Sequence, residues 1–443
     1  MFVLTGVLFL AVSSIYAETA EEYVTRGIIN GKQGNFTQAI SDFTKAIEID
    51  PNYAVAYYSR GVAYDGQGNP TQAISDYTKA IEINPNHADA YCNRGIAYHK
   101  QGSFTQAISD YNKAIEINPD YAAVYYNRGV AYDEQGNPTQ AISDYNKAIE
   151  INSNNSNAYY SRGLAYAKQG SFTQAISDFT RAIEINPNDA DAHCDRGVAY
   201  YKQGNLLQAI SDYNKAIEID PNYADAYCSR GSAYSDQGNS TQAISDYNKA
   251  IEINPNYAVA YYNRGVDYAK QGNFTQVISD YTKAIEINPK FADAYNNRGL
   301  AYANQGNPTQ AISDYTKAIE IKPNLAVAYY NRGNAYDDQG NPTQAISDYN
   351  KAIEINPDYA VAYSNRGLAY AKQGNFTQAI SDHTKAIEID PNDADVYYNR
   401  GVVYYANKEY DKAWADVHKA EKLRYAVDAE FLNDLKKASG RDK

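Results

Sequence analysis

Cysteine is nearly absent from this chain: Cys92, Cys194 and Cys228 are the three in 443 residues. They form neither a zinc spacing nor a dense disulfide framework. If Cys194 and Cys228 sit on successive packed helices, their axes lie about 8–10 Å apart, beyond the roughly 7 Å Cα reach of a disulfide. Three free thiols are therefore expected. The five histidines are scattered without a shared face, so no metal site is expected. Positive charge is also scarce, with 40 Lys and Arg against 53 Asp and Glu, a formal net charge of −13. Phosphates demand a basic face, which excludes nucleic acid as a partner and disfavours an anionic membrane surface. Gly-rich phosphate loops, nucleophile elbows and His-Glu metal motifs are missing, so neither catalysis nor a cofactor is expected.

Long apolar runs are missing too, apart from Phe2 to Ile15 ahead of Tyr16-Ala17-Glu18. That stretch is too short to span a bilayer comfortably and has the form of a signal-peptide core. Residues 1–17 are read as a signal peptide cleaved after Ala17, although no Lys or Arg precedes the apolar run. Cleavage would place the protein in a periplasm, an organelle lumen or the medium. Without it the protein would be cytoplasmic, touching a membrane only through this segment.

What the chain has in abundance is one sentence repeated. VYYNRGVAYDEQGNPTQAISDYNKAIEIN, from Val124 to Asn152, has close copies almost from end to end. A proline closes most copies, and Pro51 and Pro85 set a step of 34 residues that only Ser153 interrupts. With position 1 at Ala20, Ala54 and so on to Ala394, twelve copies cover residues 20–427. Such self-similarity makes each copy a supersecondary unit that buries its apolar face only against neighbours. In the second copy Ala54, Tyr57, Gly61 and Tyr64 recur at helical spacing, and so do Ala73, Ile74, Tyr77, Ala80 and Ile81. Gly68 can end the first helix in the left-handed conformation, Asn69 can cap the second, and Pro70 suits its first turn. Pro85 then stops the second helix.

The spaced residues Tyr57, Gly61, Tyr64, Ala73, Tyr77, Ala80 and Pro85 resemble the signature of the tetratricopeptide repeat. The resemblance implies an all-α fold, a right-handed superhelical solenoid of twelve 34-residue helix-turn-helix repeats. Residues 428–443 are similar to the family's solvating final helix, with Asp428 as cap and Phe431, Leu432 and Leu435 on one face. One departure is systematic: Arg precedes the position-8 Gly in every copy, from Arg26 to Arg400, and Asp stands at position 23 from Asp42 to Asp416. An ion pair inside each unit is expected, with the Arg stem packed. The twelfth copy departs most, with Lys408 for Gly, Trp414 for Ile, Val417 for Tyr and Tyr425 for Pro. In the first copy Asn30 replaces a Tyr.

The resemblance further implies that first helices line a concave groove, which makes an extended protein or peptide segment the expected partner. Position 6 carries Asn93, Asn127, Asn263, Asn297, Asn331, Asn365 and Asn399. Amides donate and accept, so such a ladder can hold a peptide main chain, or it can be framework copied with the unit. Position 5 carries Tyr126, Tyr160, Tyr262, Tyr330 and Tyr398, rigid rings with a polar tip. Position 13 carries Lys168, Lys202, Lys270 and Lys372, suited to a partner's carboxylates or simply to solubility. Two other functions stay open: a lining of Tyr and Asn that recognises glycan or another small ligand, and a self-assembling structural protein.

Overall fold

The computed structural model describes residues 18–441; the expected signal peptide, residues 1–17, lies outside the described residues. Its 25 helices, numbered in chain order, run from α1 (Ala20–Lys32) to α25 (Ala429–Ser439), with no strand among the described residues. The second copy shows why this sequence makes helix pairs. Its first helix, α3 (Ala54–Gly66), ends where Gly68 takes φ +77°, and the Asn69 amide donates to the Tyr64 carbonyl at 2.9 Å. A Cβ on Gly68 would meet nothing within 4 Å, so the demand there is conformational rather than steric. Lys408 holds the same place at φ +63°, which costs a residue with a Cβ about 1–2 kcal/mol.

The second helix, α4 (Pro70–Ile83), starts with Pro in its first turn as expected, but Asn69 makes no side-chain cap. Its Nδ2 donates to Gln67 Oε1 at 3.4 Å, whereas Asn239 and Asn273, at the same place in other copies and at similar backbone angles, do cap by accepting from the amides of Gln242 and Gln276. At the far end Asn84 accepts from the Asn86 amide at 3.1 Å, turning the chain around Pro85.

The two helices of a pair are held together by an aromatic ring set on a glycine. Tyr77 is buried at 1 % exposure, and a Cβ on Gly61 would come within 2.7 Å of its Cε1. Ala73 and Ala80 are wholly buried beside it. Only small residues allow that approach.

The expected ion pair is present in all twelve copies, Arg26–Asp42 through Arg400–Asp416. In the second copy Arg60 Nε and Nη2 donate to the two Asp76 oxygens at 2.7 and 2.9 Å, a bidentate fork. The remaining nitrogen, Nη1, reaches Thr44 Oγ1 of the preceding copy at 3.0 Å, and the guanidinium lies over Tyr57. One arginine thus ties its own two helices together and ties the unit to its neighbour. The hydrogen bond to Asp76 raises the Arg60 pKa despite partial burial, so the charge is permanent. In the first copy Asn30 joins this network, donating to Asp42 Oδ2 at 2.9 Å, and Arg26 Nη1 donates to Glu18 Oε1.

The contacts divide the chain at Asp220–Pro221 into two halves, α1 to α12 (Leu206–Ile219) and α13 (Ala224–Asp236) to α25. The second half ends on α24 (Tyr410–Lys422), where Trp414 Nε1 donates to Ser439 Oγ at 3.1 Å. Leu435 of α25 is fully buried against Ala413, Trp414 and Val417, so this helix covers the apolar face that a further unit would otherwise cover.

Candidate functional site

Within each half, successive first helices come closer together than successive second helices do, as α3 and α5 (Ala88–Lys100) show in one half and α17 (Ala292–Asn304) and α19 (Ala326–Asp338) in the other. The first-helix face is the inner one. Positions 5 and 6 on this face are joined from copy to copy. Asn93 Nδ2 donates to Tyr58 Oη at 3.1 Å, Asn297 to Tyr262 Oη at 3.0 Å, and Asn365 to Tyr330 Oη at 3.2 Å. Where position 5 is not Tyr, the partner changes: Asn331 donates to Asn296 Oδ1 at 3.1 Å and Asn263 to Ser232 Oγ at 3.3 Å. Tyr160 donates to Asp195 Oδ2 at 2.6 Å.

The amides of the ladder are therefore half-buried and pre-oriented by the neighbouring unit. Asn127 hydrogen-bonds the Cys92 thiol, whose pKa burial pushes up to about 11. Cys228 is raised to about 11 by the same cause, and all three cysteines are buried and outside any disulfide. The tyrosines lean on core rings, Tyr126 on Tyr145 at 5.9 Å and Tyr160 on Phe179 at 5.8 Å between centroids. Tyr398 stacks on Tyr425 at 4.8 Å, and Asn399 stands beside it, half-buried.

The lysines of position 13 are exposed, yet several have an acid waiting one unit back. Lys168 pairs with Asp133 at 2.6 Å, Lys372 with Asp337 at 2.6 Å and Lys100 with Asp65 at 2.8 Å. Lys270 donates to Ser235 Oγ at 2.6 Å and lies 3.3 Å from the buried Asp267, while Lys202 stands over the Tyr201 ring. Exposed pairs of this kind contribute only about 0.2–1 kcal/mol, so a partner's carboxylate can compete for the amines.

Family models described as TPR repeat match residues 32–68, 67–102, 97–136, 165–204, 199–238, 231–272 and 369–408. Models described as Tetratricopeptide repeat match 122–155, 258–291, 292–325 and 326–359, and again 144–177 and 348–381. The chain belongs to the tetratricopeptide repeat family. Among solved structures it is similar to YrrB, described as a TPR protein with an unusual peptide-binding site, at 29% identity and TM-score 0.39 over 44% of this chain and 97% of that one. It is similar to MamA at 31% identity and TM-score 0.36, covering 37% of this chain and 96% of MamA. The Cut9–Hcn1 hetero-tetramer of APC/C is similar at 16% identity and TM-score 0.49 over 95% and 96%. No curated protein matches at a significant level.

Tetratricopeptide arrays are scaffolds for protein interaction, and every element described above belongs to such a frame. Among the described residues no three His, Cys, Asp or Glu side chains group as metal ligands, and no helix is long and apolar enough to cross a membrane. Two features of the tetratricopeptide frame had a sequence signal that was not read. Thr or Asn at position 25, as at Thr44, Thr78 and Asn112, receives the arginine of the next copy. An acid at position 12 followed 35 residues later by Lys marks the pairs Asp65–Lys100 and Asp133–Lys168.

Proposed function

We propose that the inner face of the first helices binds an extended segment of a partner protein. The observation that supports this is the pre-ordering of the position-5 and position-6 side chains by bonds such as Asn297–Tyr262 and Asn365–Tyr330. Groups already fixed lose little entropy when a ligand arrives, so weak polar contacts along the face add to useful affinity. Asn297 donates to Tyr262 and accepts from Asn296, and Asn365 donates to Tyr330 and Asn334; with two N–H donors and a two-lone-pair carbonyl each amide has capacity beyond these bonds. Sequence-tolerant recognition of a peptide main chain follows. Delivery outside the cytoplasm belongs to this reading, and N-terminal sequencing of the mature protein tests whether it begins at Glu18.

Selection of a random-peptide display library on the whole protein supplies a ligand for the test. A selected peptide is expected to lose about 5- to 50-fold in affinity when Asn297, Asn331 and Asn365 are changed together to Ala, from about 1 kcal/mol per lost hydrogen bond less partial compensation. Circular dichroism confirms that the variant is folded. Equal affinity for the folded variant and the wild type refutes the reading.

A further inference from the structure

A cavity opens between the first two copies. It measures about 390 Å³ and lies between α1, α2 (Phe36–Ile49) and α3, with Ile28, Phe36, Phe43 and Val62 among its walls and Lys32 at its edge. Its walls are chiefly apolar. Two local departures stand in its lining. Gly31 stands where other copies carry larger side chains, such as Asp65, His99 and Asp133, and a Cβ added there would meet only Ala39 Cβ, at 3.9 Å. Ser59 replaces the ladder Asn.

Ile28 and Val62 remain 39% and 41% exposed at the cavity, so its apolar wall is open to solvent. A cavity in the same register recurs in the other half, about 260 Å³, walled by Val266, Phe274, Val277 and Leu300 with Lys270 at its edge. Unlike Lys100, Lys168 and Lys372, Lys32 makes no ion pair among the described residues.

We propose that the cavity between α1, α2 and α3 takes one large apolar side chain of an extended partner segment whose neighbouring acidic side chain meets Lys32. This rests on the reading of the inner face as a peptide site and adds what the peptide must carry. The apolar walls fit the side chain, and the unpaired amine complements a single carboxylate. A chain-terminal carboxylate is not the match, since positions 2 and 5 around the cavity are Glu21, Val24, Val55 and Tyr58, none of which adds a second cation. A sugar would find almost no polar partners in these walls.

Random-peptide display on the whole protein is the test, run in parallel on wild type, Gly31→Leu, which fills the hollow, and Val62→Glu, which places an acid beside Lys32. Wild type is expected to enrich sequences with a large apolar residue within two positions of Asp or Glu. The best of these peptides, measured by fluorescence anisotropy, is expected to bind either variant about 10- to 100-fold more weakly, the worth of one buried apolar side chain. Lys32→Ala should weaken it about 2- to 5-fold, with the loss disappearing at high salt. Gly31→Ala, which leaves most of the volume open, is the folding control.

Peptides that bind both variants as well as wild type, or that lack the apolar and acidic pair, overturn the proposal. Peptides sensitive to the Asn297, Asn331 and Asn365 changes but not to Gly31→Leu overturn the pocket alone and leave the inner-face reading standing. Insensitivity to both sets overturns both. Self-association abolished by Gly31→Leu would make the occupant a second copy of this chain and also overturn the proposal.

Discussion

His383 is the one position-24 residue whose free side chain titrates near neutrality, and its burial should make the second half of the array sensitive to acid. It lies on α22 (Phe376–Ile389), wholly buried, in the place that Tyr349 and Tyr315 fill in the two preceding copies. Neither ring nitrogen has a hydrogen-bond partner among the described residues, and the ring rests on Gly367, where a Cβ would lie 2.9 Å from Cε1. Burial, and then the positive charge of Arg400, lowers its pKa from 6.5 to about 4. In the folded chain it is therefore neutral down to about pH 4, while in the unfolded chain it binds a proton below about 6.5. The unfolded state holds more protons between those values, so stability falls as pH drops from 6.5 towards 4 and this loss levels off below. From pH 7 to pH 5 the difference is about 2 kcal/mol, and the full span is worth about 3 kcal/mol.

Trp414, the single tryptophan, sits in the next copy and reports on this region when excited beyond the tyrosine absorption. Urea unfolding followed by its fluorescence at pH 7 and pH 5 measures the loss. Carboxylates titrate in the same range, so the quantity to compare is wild type minus His383→Tyr. The tyrosine is tolerated, since Tyr315 occupies this place in the ninth copy with Leu300 beside it, just as Leu368 stands beside His383. An equal loss in both proteins between pH 7 and pH 5 would refute the argument, because the buried imidazole would then contribute nothing to proton linkage.

Two further outcomes follow from the packing inside each unit. Asp314→Ala and Arg298→Ala should each weaken the ninth unit by about 3 kcal/mol, because either change leaves a poorly exposed charge without its bidentate partner, and their effects together should be far from additive. Hydrogen exchange of the amides of α17 and α18 (Pro308–Ile321) measures this, and protection unchanged in both variants removes the ion pair as a stabilising device. Gly333→Ala should destabilise by about 1–3 kcal/mol, since its Cβ would press to 2.7 Å from Tyr349 Cε1. Gly401→Ala, whose nearest neighbour would be 3.4 Å away over the smaller Val417, should instead stabilise by up to about 1 kcal/mol through helix propensity. Thermal melts that shift in the same direction for both glycines would contradict the ring-on-glycine account.

The period, the helix pairs and the Arg60–Asp76 bond were legible in one dimension because each depends on contacts made inside a single copy. Arg and Asp stand 16 residues apart in every unit, close enough for helix geometry alone to bring them together. The tetratricopeptide family and its general role as an interaction scaffold follow from the same local pattern. Asn69 as a cap was the local expectation that failed: its side chain turns to Gln67, while Asn239 and Asn273, at the same place in other copies, do cap.

What the tertiary structure alone decided is how one copy meets the next. Asn93 bonds Tyr58 and Lys100 bonds Asp65 across 35 residues, distances in sequence that become contacts only through the rotation between stacked units. That stacking makes the asparagine ladder part of the frame as well as of the proposed binding face. It also made Gly31 part of a cavity wall, since whether a missing side chain leaves a hollow depends on what lies opposite.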